Sequence, residues 1–254
     1  LLDCEATKAN ILLALKRLSN TQATLPPGAP PALSKIQPAQ PEDAVSVFFA
    51  GHGAAQGARF YLIPQDLGYA GARNALDADA MRTVLSNGVS DLELEAALED
   101  VDAGQMLFVL DACDLGQVIE AEEKRRSPAN SSGLAQLAYE KGMYILIAAQ
   151  SYQAALEAAQ LGHGYSTFAL IEDGLKKGLA DRDPKDGMAL AREWFNYAEE
   201  RVPQMLEREM QTRPPLDPAG SDAKAKDPKQ RGVQRPRAFY RRELETRQFV
   251  VAKP

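Results

Sequence analysis

Cysteine is scarce in this chain: Cys4 and Cys113 are the only two among 254 residues. Two thiols cannot form the framework that staples a small secreted fold, so a reducing, cytoplasmic setting is expected. Histidine is equally scarce, with only His52 and His163, so any histidine chemistry must use one of them. No His/Cys/Asp/Glu spacing matches a zinc site and no EF-hand loop is present, so neither a metal nor another cofactor is expected. No apolar run reaches the roughly 20 residues of a membrane-spanning helix, which argues against a membrane partner. Positive charge is in deficit as well, 29 Lys and Arg against 35 Asp and Glu for a net charge of −6, which argues against a dedicated nucleic-acid binder. The chain does have apolar residues, 45% of the total. That is enough for a full core, and the expectation is a single domain over residues 1–254.

Two apolar runs stop abruptly on reactive side chains. Phe108-Val109-Leu110 ends at Asp111-Ala112-Cys113, and Val45-Ser46-Val47-Phe48-Phe49-Ala50 ends at Gly51-His52-Gly53. Short β-branched and aromatic runs bounded by such breaks read as buried strands. In an open α/β sheet the carboxyl ends of parallel strands share one crevice, so residues distant in sequence can meet there. Cys113 and His52 are therefore candidates for a nucleophile and its base.

In chain order, Leu1-Leu2 reads as the tail of a strand. Thr7 then caps a helix with an apolar stripe at Ile11, Leu12, Leu15 and Leu18. Six prolines across 20–43 predict an exposed, flexible loop. Gly51 to Gly57 is read as a loop and Phe60 to Ile63 as a short strand. A helix over about 91–100 with Asp91 as cap comes next, followed by the central strand at 106–111. Residues 120–132 and 212–232 are read as flexible loops from their charge and proline content. A strand at 143–148, helices at about 165–178 and 189–207, and a last strand at 247–252 that rejoins the sheet complete the pattern. Strands alternating with helices predict an α/β fold, with a parallel sheet covered by helices on both faces.

Five motifs in this order carry a resemblance. Phe48 to Gly53 resembles a strand with a "GHG" end, Tyr61-Leu62-Ile63-Pro64-Gln65-Asp66 resembles "YLIPxD", and Leu110 to Gly116 resembles "LDACHSG". Ile147 to Ser151 and Gly162-His163-Gly164-Tyr165-Ser166-Thr167-Phe168-Ala169-Leu170, similar to "GHGxFTxAL", follow the cysteine. Together they resemble the caspase-like cysteine peptidases of clan CD, above all the bacterial orthocaspases, which are akin to metacaspases and paracaspases. The resemblance implies a caspase-like fold with a mainly parallel central sheet, in which the first strand and helix are missing from this chain. An N-terminal fragment or fused regulatory domain is then an expected partner, alongside protein or peptide substrates; monomer and dimer both stay open. Asp114, Leu115 and Ala50 depart from the family pattern where it has histidine, serine and serine, which touches loop geometry but neither dyad residue.

The resemblance implies a cysteine endopeptidase with Cys113 as nucleophile and His52 as base, and an oxyanion held by the backbone amides of Gly53 and Cys113. His163 is the rival base, but it precedes a helix and does not end a strand. Family members that cut after aspartate carry glutamine two residues before the cysteine, whereas metacaspase-like members carry an acid. Asp111 occupies that position, implying a primary pocket for arginine or lysine. Lys124-Arg125-Arg126 then stands as an autocleavage candidate, against a plain reading as a solvated basic turn. Gly51 to Gly57 could also cradle a phosphate, but it lacks the Lys-Ser/Thr and the following helix of a P-loop. The alternative to a peptidase is a non-catalytic caspase-like regulatory or interaction module.

Overall fold

The computed structural model describes residues 1–19, 24–56, 59–71, 76–114, 132–150, 164–212, 236–240 and 248–253. Its centre is a six-stranded sheet in the order β3-β2-β1-β4-β5-β7, formed by β1 (Ala44–Gln56), β2 (Arg59–Ile63), β3 (Val89–Ser90), β4 (Gln105–Asp114), β5 (Tyr144–Gln150) and β7 (Arg237–Phe239). β1, β4 and β5 run parallel, while β2, β3 and β7 join antiparallel. The sheet is therefore mixed. Its parallel character is confined to the three strands whose apolar runs were readable. The β1 to β2 pairing has only two residues between the strands, too few for the crossover that parallel pairing requires.

Alternation along β4 divides the core between the two faces. Met106, Phe108 and Leu110 point into one cluster with Leu15 of helix α1 (Lys8–Lys16), Leu94, Ala97 and Leu98 of α3 (Asp91–Leu98), and Leu134, Leu137 and Ala138 of α4 (Ser132–Lys141). Leu107 and Val109 point the other way, into a cluster with Leu170, Trp194, Phe195, Tyr197 and Ala198. Leu170 belongs to a π-helix, Phe168–Lys176, which continues an α-turn at Tyr165–Thr167; the other four lie on the long helix α5 (Ala191–Thr212). Helices therefore cover both faces. Each fully buried large apolar side chain, such as Phe60, Leu110 or Phe195, contributes roughly 1.5–3 kcal/mol relative to exposure.

Local signals explain the ends of several elements. The Thr7 hydroxyl accepts from the Asn10 N–H at 3.2 Å and opens α1 as expected. At α3 the cap is Ser90 rather than Asp91. Ser90 Oγ accepts from Glu93 N at 3.2 Å while the Glu93 carboxylate accepts from Ser90 N at 2.9 Å, a reciprocal capping box. Asp91 is the first helical residue, buried against Gly133, where a Cβ would collide with its carboxylate. Helix α2 (Ala78–Asn87) starts in the same way, with the Asp77 side chain accepting from Ala80 N at 2.8 Å.

Four sequence expectations are corrected. The residues after Ala50 do not turn into a loop; β1 continues to Gln56 because β2 supplies a second partner from His52 onward. Residues 24–43 are not exposed throughout. Pro31–Lys35 forms a 3-10 turn that buries Leu33, and the Ala39 N–H donates to Leu18 O at 2.9 Å. The last strand, β8 (Val250–Ala252), does not rejoin the main sheet but pairs with β6 (Ala189–Leu190) in a separate two-stranded sheet. Leu1 and Leu2 lie in no strand, and Leu2 is exposed. The expected loops at 120–132 and 212–232 fall outside the described residues, apart from Ser132 in α4 and Thr212 in α5.

Among the described residues no helix is long and apolar enough to cross a membrane.

Candidate active site

The register of the three parallel strands sets the site. His52 on β1 pairs with residue 113 on β4, which pairs in turn with residue 150 on β5. Neighbouring strands lie about 4.8 Å apart and paired positions share a face of the pleat. The backbone thus brings the two dyad candidates side by side near the end of the parallel β1–β4 pairing, which stops at Gly53 and residue 114, while β1 itself runs on past His52 to Gln56. His52 is half-buried. Two residues back along β4, on the same face, the next row consists of Ala50, Asp111 and Ala148. Two alanines thus flank the carboxylate and leave it the largest side chain of its row.

Asp111 has a defined partner: the Thr167 hydroxyl donates to its Oδ2 at 2.6 Å. Thr167 ends the α-turn Tyr165–Thr167 at the point where the π-helix begins. The π-helix is itself anchored to α5. The Trp194 indole Nε1–H donates to Leu170 O at 2.8 Å, and Arg201 Nε contacts the Asp173 carboxylate at 2.7 Å, joined by Lys177 at 2.7 Å. Burial alone would push Asp173 upward, but the Lys177 and Arg201 donors outweigh it and hold the carboxyl below its ordinary range. π-Helical segments are rare and cluster at functional sites.

Gly53 is enclosed on the opposite face. A Cβ there would come within 3.1 Å of the Phe60 ring and 3.2 Å of the Ala112 side chain. Close packing is therefore a sufficient reason for glycine at 53, independent of any role for its amide. Cys4 is exposed in the 3-10 turn Asp3–Glu5. His163, Lys124, Arg125 and Arg126 lie outside the described residues.

A separate cleft of about 490 Å³ opens beyond the β1–β2 hairpin, lined by Lys8, Gln56, Arg59, Tyr61, Ser86 and Glu93 among others. Its cations are engaged. Lys8 Nζ bonds Glu93 and Gly88 O at 2.8 Å each, and Arg59 faces the buried Asp91 at 3.5 Å. Burial raises Glu93, but the Lys8 ammonium and the Ser90 donors outweigh it and leave the carboxyl below its usual range. The cleft contains neither dyad candidate. Among the described residues no group of three or more His, Cys, Asp or Glu side chains is placed to hold a metal ion.

Sequence reasoning assigned no role to Thr167, although the residue stands inside a quoted motif. A hydroxyl facing an acid 56 residues away leaves no local periodic trace. No known family model matches the chain, and no curated protein matches it significantly.

Proposed function

We propose that this chain is a cysteine endopeptidase of the caspase-like kind, cleaving after arginine or lysine. The observation that carries the reading is the register pairing of His52 with residue 113 near the end of the parallel β1–β4 pairing. A thiolate at Cys113 attacks the scissile carbonyl carbon, and the electron pair moves onto the oxygen, where backbone amides of Gly53 and Cys113 receive it. His52, whose unperturbed pKa of about 6.5 suits both states, protonates the departing amine as the C–N bond breaks. The resulting thioester is then hydrolysed by a water that gives its proton to His52, and the thiol is regenerated. Asp111 supplies the negative charge that selects a basic residue before the cut, by a charge-assisted bond worth roughly 1.5–3 kcal/mol. A thiolate nucleophile requires a reducing environment, so the cytoplasm is the proposed location.

One feature of the sheet supports the expectation of a further strand from an N-terminal fragment or fused domain. Residues 44–51 of β1 pair with β4 on one side, whereas β2 joins only from His52 onward. Among the described residues the other edge of 44–51 has no strand partner. Phe48 on that segment is 53% exposed. An unpaired edge with an exposed aromatic side chain is a template for strand addition.

Fluorogenic peptides that differ only at the residue before the cut test the proposal. Hydrolysis after arginine by the wild-type chain, abolished in Cys113→Ala and in His52→Ala, is the expected result. Cleavage after aspartate with none after arginine would overturn the specificity, and turnover retained by Cys113→Ala would overturn the mechanism.

A further inference from the structure

We propose that the cleft beyond the β1–β2 hairpin binds a small phosphate monoester, gripped by the guanidinium groups of Arg59 and Arg82. The cleft contains neither dyad candidate, and the inference does not depend on the peptidase reading. Strand register builds its floor. Gln56 pairs with Arg59 and Ala54 with Tyr61, and paired positions share a face of the pleat, as do positions two apart. Gln56, Arg59 and Tyr61 therefore stand on one face of the hairpin, and all three line the cleft. Arg82 and Leu85 line it from α2.

The cations of the cleft are held unequally. Lys8 is committed, because its ammonium bonds both the Glu93 carboxylate and the Gly88 carbonyl at 2.8 Å. The other Glu93 oxygen accepts from the Ser90 N–H and hydroxyl at 2.9 Å each, so Lys8 and Glu93 form a closed pair without net charge. Arg59 is engaged at one end only. Its Nη1 lies 3.5 Å from Asp91 Oδ1, and the rest of its five-donor fork has no acceptor among the described residues. Asp91 in turn does not rely on Arg59 alone. It lies in the first turn of α3, accepts from Leu92 N at 3.1 Å and abuts Gly133 at the start of α4, so two helix N-termini also face its charge. Arg82 pairs through Nη2 with Asp79 on its own helix, and the two side chains are 69% and 80% exposed. Water and salt screen such a pair, so a ligand can recruit Arg82 at little cost.

Two lightly held guanidinium groups, on a strand and a helix that border one cleft, suit a particular anion. A carboxylate offers one planar pair of oxygens and one charge. A phosphate monoester carries close to two charges near pH 7 and three terminal oxygens, so it can occupy both forks at once. The cleft volume of about 490 Å³ falls in the range of small-molecule sites. That leaves room beyond the phosphate for an organic remainder, which Leu85, Leu92 and the Tyr61 ring would cover. The chain as a whole carries a net charge of −6, so attraction for such an anion is local and must come from these side chains.

Isothermal titration calorimetry of the full chain with phenyl phosphate, benzoate and phenol tests the site. Phenyl phosphate is expected to bind with a Kd below about 1 mM, benzoate about tenfold more weakly and phenol more weakly still. Arg59→Ala and Arg82→Ala are each expected to weaken phenyl phosphate about tenfold and to leave phenol unchanged. Arg59→Lys is expected to stay impaired, because one ammonium does not reproduce the fork. Arg82 is exposed on α2, so its variant carries the test even if loss of Arg59 beside the buried Asp91 disturbs the fold, which circular dichroism would report. Phenyl phosphate that gives no binding heat at millimolar concentration would overturn the inference. So would benzoate or phenol binding as tightly as phenyl phosphate, or phenyl phosphate affinity unchanged in Arg82→Ala.

Discussion

Replacing Trp194 by phenylalanine probes the anchoring of the π-helix directly. The indole Nε1–H donates to the buried Leu170 carbonyl at 2.8 Å, and its ring packs so closely on the helix that a Cβ on Gly174 would lie 3.2 Å from Cδ1. Phenylalanine keeps a ring against Phe195, whose centroid is 5.6 Å away, but it has no donor. Leaving a buried carbonyl unsatisfied costs about 1–3 kcal/mol. The missing part of the indole leaves a void of about 40 Å³, which adds about 1 kcal/mol if the site does not collapse. Trp194→Phe should therefore lose ~3 kcal/mol, equivalent to a fall in Tm of roughly 6–12 °C for a domain of this size. Trp194 is the sole tryptophan, so the transition must be followed by far-ultraviolet circular dichroism during urea unfolding. The expected result is a lower midpoint at unchanged m. A loss below about 0.5 kcal/mol would refute the claim that this hydrogen bond holds the π-helix.

The remaining expectations are briefer. Asp111→Asn should reduce kcat/KM for arginine peptides by about 10- to 150-fold, as loss of a charge-assisted bond of roughly 1.5–3 kcal/mol requires, with little change for citrulline peptides; a uniform loss on both would show a structural role instead. Asp173 has its folded pKa lowered, because Lys177 and Arg201 outweigh the opposing effect of burial. Its stabilising contribution is thus full above the ordinary aspartate value of 3.8 and is lost as pH falls below that toward the folded value. Acid titration monitored by circular dichroism should show a steeper loss below that pH in wild type than in Asp173→Asn. Phe48→Lys, on the unpaired edge of β1, should reduce concentration-dependent self-association in sedimentation velocity, and unaltered association would dismiss the edge as its cause. On storage the wild type should yield a fragment ending within 124–126 that is missing from Cys113→Ala; the same nick in both would point to a contaminating protease.

What was readable in the sequence follows from which features are local. The runs at 106–111 and 143–148 announce β4 and β5, because a strand buried on both faces must be apolar throughout; the run at 45–50 announces β1 although its Ser46, Phe48 and Ala50 face is exposed. Thr7 and the stripe of α1 are likewise local. Strand direction is a property of pairs, and ending β1 at Ala50 concealed the fact that two residues separate it from β2. The π-helix over Phe168–Lys176 could not be distinguished from an α-helix, since nine residues are too few for a shift in period to show. β6 and β8, of two and three residues, are too short to display alternation at all. At the candidate site, the two apolar runs pointed to Cys113 and His52, which the strand register sets in one row although β1 runs on past His52, whereas the Thr167 to Asp111 contact required the packing of a helical segment over the sheet.

The parallel register of β1, β4 and β5 also bears on how the chain reaches its folded form. His52 and residue 113 pair across roughly sixty intervening residues, and no shorter hairpin can bring them together. The entropy of closing that loop must be offset by contacts formed late, so the row at the strand ends cannot exist in a partly folded chain. A newly made polypeptide would carry a thiol and an imidazole without a working pair until the central sheet is complete. Under the proposed peptidase reading, reactivity would then appear together with global cooperativity, and a chain still emerging from synthesis would have no means of cutting itself or its neighbours.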